Sequence, residues 1–128
     1  EWMAQDFRRR TGIACEPTIL ITEDVLTGEL GTALFRIIQE ALTNVSRHSA
    51  AMRVQLELGL KSGCVTLEVR DDGCGITESA ATGPTSLGIL GMRERAAALG
   101  GVLEVAPHAD GGTRVTAWFP HNPPTSDR

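Results

Sequence analysis

The residues best placed for chemistry in this 128-residue chain begin at Asp71. Val65, Leu67 and Val69 alternate with Thr66, Glu68 and Arg70, the period of a half-buried strand. One more step of that parity turns Asp71 inward with the core residues. A carboxylate on the core side needs a partner, because a bare buried charge is costly. Asp71-Asp72-Gly73-Cys74-Gly75-Ile76 follows directly, and its glycines allow tight turns and close approach of a ligand to the backbone. Further on, Leu87-Gly88-Ile89-Leu90-Gly91-Met92 leads into a helix. A glycine-bearing loop at a helix start offers free N–H groups and a positive dipole end, a place for phosphate. Each signal has a plain alternative: a strand-ending turn for the first, a helix start that binds nothing for the second.

A third set lies on the helix around which the chain is arranged, expected over Leu30–Ser49. Leu34, Ile37, Ile38, Ala41, Leu42 and Val45 form one apolar stripe at helical period. Glu40, Asn44, Arg47 and His48 form a narrow polar ridge beside that stripe rather than opposite it. Packing does not require those four groups there. Taken alone, the pattern favours an ordinary amphipathic helix with a solvated face.

The other elements follow the same reading. Glu1–Thr11 ends at Gly12 and reads as the tail of an upstream helix, so the chain is expected to be part of a longer protein. Ile13–Ile21 suits a strand, and Thr22–Gly31 a loop. Val54, Leu56, Leu58 and Leu60 alternate with Arg53, Gln55 and Glu57 in a strand that turns at Lys61–Gly63. Thr77–Ser86 is small, polar and aperiodic, a mobile loop or lid. Ile89, Met92, Ala96 and Leu99 mark the second long helix, stopped by Gly100-Gly101. Leu103 and Val105, then Val115, Ala117 and Phe119, give two closing strands. His121–Arg128 is expected to be a disordered tail.

Composition sets limits. The length fits one domain with its own core. Net charge is −4, aromatic content is 4% and there is no basic run, which argues against nucleic acid. No apolar run approaches the roughly 20 residues of a membrane span, and no signal peptide is visible. Cys15, Cys64 and Cys74 are odd in number and lack zinc-site spacing, so they read as reduced thiols in a cytoplasmic setting.

The order of the signals narrows the function: E-x-x-x-N on a helix, D-x-G-x-G after a strand, G-x-x-G entering a helix, then Gly112-Thr113. The chain resembles the GHKL ATP-binding superfamily, and more closely the catalytic ATP-binding domain of sensor histidine kinases of the nitrate-sensor and fluidity-sensor type. Gln39–His48 resembles that family's N box, Asp71–Ile76 its first glycine box, Gly88–Arg95 its second and Gly111-Gly112-Thr113 its closing element. The resemblance covers about Thr32–Pro120. It implies an α/β fold, a two-layer α/β sandwich of the GHKL (Bergerat) type with helices on one face of a mixed sheet. ATP would lie between the helices under a flexible lid.

The resemblance also implies roles. Asn44 would give an oxygen to Mg²⁺, and Glu40 would orient or deprotonate the nucleophile. Arg47 would sit near the phosphates, while His48 would either touch phosphate or lid or cap helix-end carbonyls. Asp71 would accept a hydrogen bond from the adenine amino group, with Thr113 helping through a shared water. Gly73 and Gly75 would let the base lie against the backbone. Gly88, Leu90 and Gly91 would offer N–H groups to the phosphates. Ile76 and Met92 complete the nucleotide-binding set. Asp72 and Cys74 fill variable positions and receive no role.

Two departures from the family pattern stand out. Thr77–Ser86 holds no lysine, which speaks against a cationic clamp from the lid. No phosphoacceptor is recognisable either: His48 lies inside the N box, His108 in a turn and His121 in the tail. The expected organisation is therefore residues 1–12 as the end of an upstream helix or linker, 13–120 as the catalytic domain and 121–128 as tail. The expected function is binding of ATP and Mg²⁺ and donation of the γ-phosphoryl group to a histidine on a separate dimerisation domain, with a response regulator downstream. The expected setting is cytoplasmic, with the parent protein open to membrane anchoring and no membrane contact by this domain. The principal alternative is a GHKL ATPase switch in which hydrolysis drives an interface. A serine kinase regulating a sigma factor and a degenerate domain are the remaining ones.

Overall fold

The apolar stripe becomes the inner face of a helix. In the computed structural model, which describes residues 2–26, 28–46, 53–73, 88–107 and 111–120, α1 spans Trp2–Thr11, α2 Gly28–Asn44 and α3 Ile89–Ala98. The strands are β1 Ala14–Ile19, β2 Arg53–Lys61, β3 Cys64–Asp71, β4 Val102–Pro107 and β5 Thr113–Pro120. α2 buries Ala33, Leu34, Ile37, Ile38, Ala41 and Leu42, the positions its period requires.

The strands form one mixed sheet in the order β1-β2-β3-β5-β4. β1 runs parallel to β2, and the other pairs are antiparallel. Parallel neighbours need a crossover, and α2 supplies it. β5, the last of these five strands in sequence, lies between β3 and β4. Strand parity sends Val54, Leu56, Leu58, Val65, Leu67, Val69, Val115, Ala117 and Phe119 into one core with α2 and with Ile89, Met92 and Ala96 of α3. Each large apolar side chain buried there stabilises the fold by roughly 1.5–3 kcal/mol. Phe7 of α1 is 2% exposed and joins the same core. The opposite face of the sheet carries an ion-pair cluster, in which Glu68 pairs with Arg114 at 3.7 Å and Arg70 at 3.8 Å, beside the exposed Val102 and Trp118. The architecture is thus two layers, with helices packed on one face of a mixed sheet.

Two expectations change in detail. Thr22–Gly31 is not a plain loop, since it holds a 3-10 turn at Glu23–Leu26 and the first turn of α2. A side chain on Gly31 would overlap the Leu26 carbonyl, so that glycine serves a close approach inside structure rather than marking a loop. α2 starts earlier than expected, at Gly28, and its α-helical part ends at Asn44, followed by a π turn over 45–46, while the expected end at Ser49 lies outside the described residues. The Thr77–Ser86 lid, the tail from His121 and the turn carrying His108 lie outside the described residues.

Cys15 and Cys64 are free thiols, and burial pushes the Cys15 thiol up from its ordinary pKa. Cys74 is outside the described residues. Among the described residues, no helix is long and apolar enough to cross a membrane.

Candidate functional site

Asp71 ends β3 with its side chain on the core side, 8% exposed, as its parity requires. It is the charged side chain in the otherwise apolar buried set of the described residues. Its Oδ1 accepts the Gly73 N–H at 2.8 Å, which satisfies one lone pair and begins the turn out of the strand. Gly112, at the foot of β5, lies directly against this strand end. Its φ is +88°, and a side chain there would overlap the Asp71 carbonyl and come within 3.2 Å of Asp72 Cα. Thr113 follows as the first residue of β5, half-buried and opposite Pro107. The antiparallel β3–β5 pair thus brings Asp71, Gly73, Gly112 and Thr113 to one end of the sheet.

That close approach predicts a stability effect. Gly112→Ala must hold φ near +88° and push the Asp71 backbone aside. The left-handed strain alone costs roughly 1–2 kcal/mol, and the displaced strand end adds to it. Gly111→Ala has a similar φ of +91° but meets nothing closer than 4.0 Å. Urea unfolding is expected to show a larger loss for Gly112→Ala than for Gly111→Ala. Equal losses would mean that the Gly112–Asp71 contact does not constrain the strand end.

A second pair forms at the start of α3. Glu40 is half-buried on α2, and Gly88 is the residue before α3, with φ 68°. A side chain on Gly88 would come within 2.6 Å of the Glu40 carboxyl carbon. The Glu40 carboxylate therefore lies beside Gly88 without capping α3, whose first N–H groups have no side-chain acceptor among the described residues. Leu90 is 44% exposed in the first turn beside Gly91, leaving this turn open. Met92 is 0% exposed and packs in the core with Ile89 and Ala96. Asn44, one turn beyond Glu40, is half-buried at the end of α2.

The expected residues therefore gather as two groups, Asp71–Gly73–Thr113 at the sheet end and Glu40–Gly88–Leu90–Gly91 where α2 meets α3, with Asn44 continuing the α2 ridge. Arg47, His48, Gly75 and Ile76 lie outside the described residues. Two contributors were not singled out from the sequence. Gly112 was legible only as part of a motif, because its contact is with a strand 41 residues earlier in the chain. Asp72 carries a structural bond: its Oδ1 accepts the Arg53 N–H at 3.0 Å. A doubled carboxylate at a strand end was its only signal.

The chemistry of these groups suits a nucleotide. A buried carboxylate recognises a donor such as an exocyclic amine. An uncapped helix start recognises phosphate. Among the described residues no cluster of three or more His, Cys, Asp or Glu could hold a metal. An amide such as Asn44 is a single hard oxygen donor, the kind that holds Mg²⁺ together with phosphate oxygens.

Comparison with known proteins agrees. Residues 29–123 match the family described as histidine kinase-, DNA gyrase B-, and HSP90-like ATPase. The chain is 32% identical over 117 residues to the sensor histidine kinase LnrJ of Bacillus subtilis, covering 91% of this chain and 28% of LnrJ. It is 36% identical over 118 residues to the sensor histidine kinase LiaS of the same organism, covering 92% of this chain and 32% of LiaS. The chain thus spans a third or less of the length of these curated relatives. The histidine kinase domain of the Erythrobacter litoralis blue-light activated histidine kinase superposes with a TM-score of 0.71 at 26% identity, over 93% of this chain and 58% of that one. The ATP binding domain of PrrB from Mycobacterium tuberculosis shares the fold, with a TM-score of 0.73 at 21% identity over 94% of this chain and 89% of that one.

Proposed function

The chain belongs to the histidine kinase-, DNA gyrase B-, and HSP90-like ATPase family, and we propose that it is the ATP-binding catalytic domain of a sensor histidine kinase. In this reading it binds ATP with Mg²⁺ and donates the γ-phosphoryl group to a histidine on a dimerisation domain, from which a response regulator takes it. The observation that carries the reading is the buried Asp71 carboxylate at a strand end walled by Gly112. A carboxylate is kept there at a desolvation cost that a bound donor offsets. The sensor histidine kinase relatives favour phosphotransfer over the ATPase switch. The nitrate-sensor and fluidity-sensor subtype rests on the sequence boxes. Residues 13–120 form the catalytic unit in this proposal, with α1 leading into it, and the setting is cytoplasmic.

The residues take the following parts. Asp71 reads the adenine amino group, assisted by Thr113, while Gly73 and Gly75 let the base approach and Ile76 borders it. Gly88, Leu90, Gly91 and the Met92 backbone offer N–H groups to the phosphates, with Arg47 and His48 nearby. Glu40 orients the attacking imidazole or takes its proton. Asn44 would hold Mg²⁺, and the ion would supply neutralisation of charge building on the phosphate oxygens.

The metal assignment has a direct test. Asn44→Ala is expected to leave ADP affinity without Mg²⁺ nearly unchanged and to weaken the Mg²⁺-dependent gain in ATP affinity roughly 10- to 100-fold. Phosphotransfer should disappear with it. Calorimetric titration with and without Mg²⁺ separates the cases. An equal loss in both conditions would assign Asn44 to the fold or the base pocket.

A further inference from the structure

We infer that Asp72 is a positioning residue for adenine recognition, holding the Asp71 carboxylate in place through the first residue of β2. The inference rests on the reading of Asp71 as the adenine partner.

The geometry at the end of the β2–β3 ladder carries it. The last regular pair is Val54 with Asp71. One step further, the Asp72 N–H donates to the Arg53 carbonyl at 3.2 Å, as a continuing ladder would. The return bond differs: the Arg53 N–H donates to the Asp72 side chain, at 3.0 Å, rather than to a main-chain carbonyl. The carboxylate thus replaces the backbone acceptor. The main chain is free to leave the sheet at Asp72 without stranding the Arg53 N–H. Asp71 does the same for the next donor, taking the Gly73 N–H at 2.8 Å. Two adjacent carboxylates therefore end the strand, one anchored sideways to β2 and one aimed into the core side. Gly112 closes the other flank, against the Asp71 carbonyl and Asp72 Cα. With Arg53 on one side and Gly112 on the other, the Asp71 backbone is fixed from both neighbouring strands.

A short acceptor is required for this arrangement. Aspartate and asparagine reach a neighbouring main-chain N–H with one rotatable carbon, and alanine offers nothing. Losing the bond releases the last residue of β3 from β2. Asp71 then samples several positions, and its preference for a nucleotide with an amino group in place weakens. A misplacement of about 1 Å at a recognition group is enough to lose most of its selectivity.

The test compares ADP with the diphosphate of purine riboside, which lacks the exocyclic amine, by titration on wild type, Asp72→Asn, Asp72→Ser and Asp72→Ala. Wild type and Asp72→Asn are expected to prefer ADP by about tenfold or more, the range for a hydrogen bond to a charged group. Asp72→Ala is expected to reduce that preference to about threefold or less, while affinity for inorganic triphosphate stays unchanged. Asp72→Ser should fall between, and it carries the comparison alone if the alanine variant does not fold. A merely destabilising change lowers the folded fraction but leaves the preference of the folded protein intact. A full wild-type preference in Asp72→Ala, or in Asp72→Ser where only that variant folds, overturns the positioning role while leaving Asp71 as reader. No preference in wild type overturns the Asp71 reading and this inference with it.

Discussion

Asp71→Asn is expected to lower affinity for a non-hydrolysable ATP analogue about 10- to 100-fold, the equivalent of a hydrogen bond to a charged group at roughly 1.5–3 kcal/mol. The structure gives the substitution a specific consequence. Asp71 Oδ1 already serves the Gly73 N–H, so an asparagine keeps its oxygen there and presents its NH₂ toward the ligand. A donor then faces the adenine amino group, itself a donor. The turn is preserved, and the unfolding midpoint should move little. The loss should fall on adenine nucleotides and spare inorganic triphosphate. Unchanged affinity for the analogue would remove Asp71 as the adenine reader.

The second large effect concerns the acceptor. Incubated alone with radiolabelled ATP and Mg²⁺, this chain is expected to acquire no acid-labile label. Phosphoryl transfer is mostly positioning, so the nucleophile must approach the γ-phosphate nearly in line. In the sequence reading, His48 continues the ridge of Glu40 and Asn44 on the pocket wall, while His108 is expected in a turn and His121 in a tail. Supplying the phosphoacceptor helices of the parent protein as a separate chain should restore transfer, though weakly. Tethering ordinarily provides an effective concentration near the millimolar range, and a separate chain must reach that in solution. Glu40→Gln should slow transfer by roughly 10²- to 10⁴-fold, the usual reach of a general base. ATP affinity should change far less, because removing a negative charge beside the start of α3 takes away no attraction for phosphate there. Label on this chain alone, or no transfer to the cognate helices at high concentration, would overturn the half-enzyme reading.

Much of this architecture was legible because it depends on local period. The stripe from Leu34 to Val45 placed α2 on the sheet, and the parity of Val65, Leu67 and Val69 placed Asp71 on the core side. The turn at Ser62-Gly63 and the stop at Gly100-Gly101 followed from residue type. What was not legible depends on contacts between distant segments. Gly31 reads as a loop residue until the Leu26 carbonyl is seen against it. Asp72 reads as a spare carboxylate until its bond to Arg53, 19 residues away, is known. Glu40 and Gly88 each carried a signal, yet nothing in either motif says that they touch. Met92 sat in a motif and also at a core position of its helix, and burial decided which face its side chain took.

The place of β5 bears on how the protein is made. Synthesis proceeds from the N-terminus, and domains fold as units once their segments are available. Here β5 is inserted between two older strands, β3 and β4. Until it emerges from the ribosome, Asp71 lacks its Gly112 wall, and β3 has one flank unpaired. No nascent chain short of Thr113 has the full set of residues proposed to read adenine, however well α2 and the first strands have formed. In the proposed reading, nucleotide capture waits until β5 has been made, and any ATP stabilisation of the fold acts only on copies that contain it. A copy that ends between β4 and β5 leaves the facing edges of β3 and β4 unpaired, a surface that chaperones and proteases recognise more readily than a missing active-site residue.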